Sequence, residues 1–167
     1  MIVFCTSCWA ENEDTAVRCS HCGAGLTGGL DQKSYVEKLL RALRSHPILE
    51  TRVRAAWILG KRREVQAAPV LMEVLATTGD SELKEATIVS LGQIGDRRVI
   101  PLLLVLARTG PLAVRLKAVE ILGEMGDASI IEQLSTLARE DPNEIVRREA
   151  ERSLKKIQDD PDEQKET

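Results

Sequence analysis

The sequence predicts an all-α protein: a short α-solenoid of four helix pairs behind a small N-terminal module organised by cysteines. Three observations carry that expectation. Aromatic residues are only 2% of the 167-residue chain, against 43% apolar and 29% charged, so the core must be aliphatic and the surfaces amphipathic, as in packed helices rather than a β-sandwich. Beyond residue 30 the chain repeats itself every 31 or 32 residues. All four cysteines fall in the first 22 residues, which excludes a disulfide framework for the whole fold and leaves a local site.

Cys5, Cys8, Cys19 and Cys22 are spaced C-x2-C-x10-C-x2-C. Each C-x-x-C pair can turn tightly enough to aim two thiolates at one ion, and two such knuckles make a tetrahedral four-sulfur site that suits structural Zn2+. Four protein ligands leave no open position, so such a site holds structure and does not activate water. A segment this short cannot bury a core of its own, and the metal must supply much of its folding free energy. A disulfide pair and a thioredoxin-like redox motif are the competing readings, but the latter belongs beside a βαβ pattern that is not present. His21 is in principle a substitute ligand for Cys22; the simpler reading makes it a loop residue of the second knuckle.

Cys-Thr-Ser-Cys-Trp-Ala-Glu-Asn at 5–12 and Cys-Ser-His-Cys-Gly-Ala-Gly-Leu at 19–26 resemble the short zinc ribbon of many prokaryotic proteins, which usually reads C-x-x-C-G-A-E-N and then C-x-x-C-G-A-x-L. Trp9 stands where that module has glycine, and Arg18 where an aromatic often precedes the third cysteine. The resemblance implies a zinc ribbon over residues 1–27. The spacing around Asn12 is also similar to the nuclear-pore type of zinc finger, which binds ubiquitin or single-stranded RNA; Val3 stands where that class has tryptophan.

Residues 23–29 hold four glycines in seven, which predicts a flexible joint, with 28–30 as the linker proper. The repeat then shows in Leu59-Gly60, Leu91-Gly92 and Leu122-Gly123, with Leu154-Lys155 at the same interval beyond them. Eight residues before each of these glycine-equivalent positions stands a cation: Arg52, Lys84, Arg115 and Arg147. Five before stands a small residue: Ala55, Thr87, Ala118 and Ala150. Apolar spacing predicts first helices over 31–44, 65–76, 97–108 and 128–139, and second helices over 50–60, 82–92, 112–123 and 144–157. Asp96 and Asp127 are placed to cap the first helices next in the chain. Pro47, Gly79, Gly110-Pro111 and Pro142 mark the turns within each pair, while Gly60, Gly92 and Gly123 suit left-handed helix ends. In the last unit Glu151 and Ser153 make one face more polar, as a capping repeat requires. The tail, 158–167, is acidic and broken by Pro161, which predicts disorder.

Val114-Arg115-Leu116-Lys117-Ala118-Val119-Glu120-Ile121-Leu122-Gly123 resembles the V-R-x-x-A-x-x-x-L-G signature of HEAT-like repeats of the phycobilisome-lyase type, and Val146 to Leu154 matches it until Lys155 replaces the glycine. That resemblance implies a HEAT-like solenoid over 31–157 and leaves function open, because such repeats serve many roles.

Function is read mostly by exclusion. A net charge of -3 gives no global field for nucleic acid or an anionic membrane. The longest apolar run, 99–107, falls far short of the roughly 20 residues of a spanning helix, and the first residues lack a basic leader, so the chain reads as soluble and cytoplasmic. No phosphate-cradling glycine loop or nucleophile elbow occurs, and His21 and His46 are the only histidines. The expectation is a non-enzymatic protein-interaction scaffold. The alternatives are a nucleic-acid-associated protein, using the ribbon and the turn cations of Lys61-Arg62-Arg63 and Arg97-Arg98, or a cofactor-handling lyase or chaperone subunit. The repeated cations at Arg52, Lys84, Arg115 and Arg147 are expected to pair with a turn acid or cap carbonyls between adjacent units. Residues seven and three before each glycine position share one helix stripe, so the partner-binding candidates are Val53, Trp57, Glu85, Val89, Leu116, Glu120, Arg148 and Arg152; the alternative for Trp57 is that it fills a gap between the first two units or packs under the zinc module.

Overall fold

A computed structural model describes residues 2–5, 7–8, 10–13, 15–26 and 32–159. Trp9, the 28–30 linker and positions 160–167 of the tail lie outside the described residues. The described chain is all-α apart from one small hairpin, in which β1 (Ile2–Phe4) pairs antiparallel with β2 (Glu11–Glu13), Val3 opposite Asn12. Eight helices come after it: α1 (Gln32–Ser45), α2 (Leu49–Lys61), α3 (Ala68–Thr77), α4 (Ser81–Ile94), α5 (Ile100–Thr109), α6 (Leu112–Met125), α7 (Ile131–Glu140) and α8 (Glu144–Asp159). They form four pairs, each closed by the turn that its proline or glycine predicts. The first-helix boundaries differ from expectation in a regular way. Val65–Ala67, Arg97–Val99 and Ala128–Ile130 form separate 3-10 turns ahead of α3, α5 and α7. Pro69 and Pro101 then occupy the first turn of α3 and α5, where a missing N–H breaks no helical bond. At the other end α8 runs two residues beyond the expected 157.

Asp96 and Asp127 cap as expected, accepting from Arg98 N at 3.0 Å and Ser129 N at 2.9 Å. Asp80 does the same for α4, accepting from Leu83 N at 2.8 Å. Arg98 holds the Asp96 carboxyl below the usual carboxylate range, and Ser129 does so for Asp127.

The structure overturns the expectation for the repeated glycines. Gly60, Gly92 and Gly123 are not left-handed helix ends; they lie inside α2, α4 and α6. The left-handed residues come three positions later, at Gly95 (φ 77°), Gly126 (φ 64°) and, in the first unit, Arg63 (φ 50°). The helix-interior glycines serve a different need. A Cβ on Gly60 would lie 2.6 Å from Ser90 Cα, and one on Gly92 would lie 2.6 Å from Ile121 Cγ2. One on Gly123 would lie 2.9 Å from Ser153 Cα. Each glycine therefore admits the next second helix at close range. Ser90 and Ser153 complete the contact by donating across it, to Ala56 O at 2.8 Å and Val119 O at 3.1 Å. Ser153 is fully buried, so it belongs to this contact and not to a polar capping face, whereas Glu151 is exposed.

Second helices thus pack directly on one another, α2 on α4, α4 on α6 and α6 on α8, as well as on their own first helices. The resulting core is a continuous, largely aliphatic cluster that runs through the helices to Ile157 and takes in Phe4 of β1, with Leu43, Leu59, Leu71, Leu91, Leu103, Leu122 and Leu134 among its fully buried members.

Arg63 closes α2 in a Schellman arrangement, its own N–H reaching Gly60 O at 2.8 Å and that of Glu64 reaching Leu59 O at 3.1 Å. Left-handed geometry is costly for a residue with a Cβ. Arg63→Gly should therefore raise stability by about 1 kcal/mol, seen as a higher urea midpoint at unchanged slope. An unchanged or lower midpoint would show that the Arg63 side chain makes a compensating contact.

Candidate metal centre and interaction face

The hairpin and the two knuckles bring the four cysteines together. Their Sγ atoms all lie within 4.8 Å of one another, with Cys5 to Cys22 at 3.6 Å and Cys8 to Cys19 at 3.4 Å. A tetrahedral ion with metal–sulfur bonds of about 2.3 Å sets sulfur–sulfur edges of about 3.8 Å, so this donor set fits one ion. Backbone groups support the sulfurs: Ser7 N points at Cys5 Sγ and His21 N at Cys19 Sγ, each at 3.4 Å. His21 is exposed, and its imidazole is not among the clustered ligand groups. Gly23, after the second knuckle, is left-handed at φ 70°.

Asn12 is the internal brace, a role that spacing alone does not disclose. It is 7% exposed, donates to Ala10 O at 2.7 Å and to Cys19 Sγ at 3.6 Å, and accepts from Ser20 N at 2.8 Å. The thiols are electrostatically unequal. The backbone N–H groups of Cys22 and His21 hold Cys19 down at about 6 despite its burial. At Cys8 the Ala10 N–H pulls downward, but burial and the three other thiols outweigh it and push Cys8 up to about 12. Four thiolates this close repel one another unless a cation lies between them.

The repeated cations act at helix ends. Arg52 Nε donates to Leu43 O at 2.9 Å, in the last turn of α1, and Arg147 reaches Asp141 O at 2.8 Å, just past α7. Arg115 does most: it donates to Gly110 O at 3.3 Å and makes a two-pronged pair with the buried Asp141 carboxylate, both contacts at 3.1 Å. Each of these arginines thus meets carbonyls at the negative end of its own unit's first helix, and Arg115 also ties the third unit to the fourth. Lys84 makes no such side-chain bond among the described residues. Turn cations likewise face acids: Arg98 meets Asp96 at 2.6 Å, Arg97 meets Asp127 at 3.8 Å and Arg62 meets Glu64 at 2.9 Å.

The eight stripe candidates fall two to a helix on α2, α4, α6 and α8, and none of them is buried. Val53 and Leu116 are half-buried against the core edge, and Glu85, Val89 and Glu120 are also partly covered. Arg148 and Arg152 are exposed, each beside an acid of its own helix: Glu144 at 2.6 Å and Glu149 at 3.6 Å. Trp57 is 40% exposed, with the Phe4 ring against it edge-on, centroids 5.4 Å apart, and Lys61 Nζ 5.7 Å from its ring centre. Lys61 could be found from the sequence, being one turn beyond Trp57 on the same helix. Phe4 could not, because it lies across the glycine joint.

Antiparallel helix pairs stacked by repeating contacts between second helices define an α-solenoid. Residues 8–92, 36–113 and 79–155 match the HEAT repeats family, so the chain belongs to the HEAT-repeat proteins. A comparison with curated proteins gave no match. Among the described residues no helix is long and apolar enough to cross a membrane.

Proposed function

We propose that this chain is a non-enzymatic protein-interaction scaffold that grips its partner along the second helices, with a structural zinc ribbon over residues 1–27 as a second contact module beside the solenoid of 31–157. HEAT repeats commonly mediate protein interactions, which supports the general class. One observation carries the finer reading: a division of labour on the second helices. Positions one and five before each glycine are sealed in the core, Leu59 and Ala55, Leu91 and Thr87, Leu122 and Ala118 all being 0% exposed. Positions three and seven before it stay accessible on all four helices. In this reading the close approach at the glycines draws the second helices together, and the accessible stripe is the surface they offer to a partner in the groove of a curved stack. Along it the character changes from apolar at Val53 and Trp57, through Glu85 and Glu120, to cationic at Arg148 and Arg152. Zinc is the ion of choice because four thiolates at tetrahedral spacing, without an open position, match its structural chemistry.

The test is binding of the partner recovered on the full-length chain. Trp57→Ala should weaken it by at least about 2 kcal/mol, and Arg148→Glu with Arg152→Glu should weaken it more at low salt than at high. Unchanged affinity in both variants would remove the stripe as the binding face. Purified protein should carry about one zinc per chain, as a single four-ligand site requires.

A further inference from the structure

The cysteine module and the solenoid meet at one residue. Phe4 is 3% exposed and belongs to the solenoid's aliphatic core cluster, not to the small cluster around the cysteines. Its backbone is held at both polar groups by a single side chain: the Tyr35 hydroxyl accepts from Phe4 N and donates to Phe4 O, each at 3.2 Å. Tyr35 is itself buried at the start of α1, with the Arg62 guanidinium 5.4 Å from its ring centre, and the Phe4 ring lies against Trp57 of α2. A strand residue of the N-terminal module therefore fills the apolar end of the first helix pair.

On the module's side, Phe4 is positioned by the cysteine knuckles. It is bonded to Cys5, and Cys5 N donates to Ala10 O at 3.0 Å across the first knuckle. Its strand pairs Val3 with Asn12, whose side chain braces Cys19 and Ser20 of the second knuckle. Each of these supports leads back to the sulfur cluster within one or two contacts. Among the described residues the separate cluster around it comprises Cys5, Cys19 and Leu26, with Cys8, Ala10, Ala16 and Ala24 packed against them, and a module of this size depends on its ion for much of its folding free energy.

We infer that the cysteine module is a metal-dependent cap on the first helix pair: with the ion bound, Phe4 is seated between Tyr35 and Trp57, and release of the ion withdraws Phe4 and uncovers both aromatic residues. The inference rests on the reading that the four thiols hold a metal. It goes beyond that reading by coupling occupancy to the apolar end of the interaction stripe, where Trp57 sits. Repeat proteins need their terminal units covered on the outer face. Here the cover is a module whose own folding is conditional.

The experiment uses the full-length chain with Trp9→Phe, so that Trp57 is the only tryptophan, and measures metal content, Trp57 emission and amide hydrogen exchange before and after chelation. The expected result is a red shift of Trp57 emission on metal removal, with exchange in α1 and α2 rising at least about tenfold while α5 to α8 change by less than about twofold. Phe4→Ala in the same background should show the shifted emission with metal still bound, and chelation should then add little. Tyr35→Phe, which keeps all four thiols and the Phe4 ring, should lower the protection of α1 in the metal-loaded protein. If metal is present, is removed, and leaves emission and α1–α2 exchange unchanged, the coupling is wrong while the metal site stands. Protein that holds no metal as purified overturns both.

Discussion

Gly60→Ala should destabilise the protein by about 2–3 kcal/mol, the scale of overpacking in a close-packed contact. The sign is the informative part. In an exposed helix interior the same change gains roughly 0.5–1 kcal/mol, because alanine loses less backbone freedom on folding. Here the new Cβ would stand 2.6 Å from Ser90 Cα, a main-chain atom that no side-chain rotation can clear. The helices must separate, and the bond from the Ser90 hydroxyl to Ala56 O stretches with them. Gly95→Ala makes the control, since nothing lies within 4 Å of its added Cβ and the cost, about 1 kcal/mol, comes only from its left-handed backbone. Denaturation midpoints for the two variants decide it. A Gly60→Ala protein more stable than wild type would show that α2 and α4 do not approach as closely as described.

Asp141→Ala should cost about 3 kcal/mol, near the low end for breaking a buried charge pair because Arg115 keeps some water contact. The Asp141 side chain is 2% exposed and that of Arg115 15%, so removal of the carboxylate leaves the guanidinium its bond to Gly110 O and no counter-charge in a largely dry place. The Asn143 N–H, which Asp141 accepts at 2.8 Å, loses its partner too. Asp141→Ala with Arg115→Met should recover much of the loss, since replacing both partners of a buried pair with apolar groups is often close to neutral. A double-mutant cycle by chemical denaturation reads the coupling directly. Strict additivity of the two changes would mean that the pair contributes nothing as a pair.

These two sites show what the chain discloses before folding and what it withholds. Helix count, the pair turns at Pro47, Gly79, Gly110-Pro111 and Pro142, and the caps at Asp96 and Asp127 are legible because each is a local event with a local residue preference. That the repeated cations serve packing is legible from repetition, but not that Arg52 and Arg147 cap within their own unit while Arg115 alone of the three bridges to the next, through Asp141. The helix-interior glycines mislead because glycine carries two properties, a permissive backbone and a missing Cβ, and the sequence does not say which one a site uses. A signal is present: units two and three each hold a second glycine three residues on, beside the capping aspartate. A lone large aromatic such as Trp57 hints at a covering partner, but nothing in the sequence points to Phe4 as that partner. A run of glycines between two compositions predicts separate modules, and contact between them depends on shape, which periodicity does not encode.

Lys155 stands where Gly60, Gly92 and Gly123 stand in the earlier units, and it is exposed on α8. The glycines act as permissions, each granting the next helix its place. A fifth pair offered to α8 would meet a Cβ and a charged chain at the point where close approach has to begin. At this position α8 lacks the opening that the three earlier second helices provide. Anyone lengthening this scaffold by grafting further repeats would have to restore glycine there first.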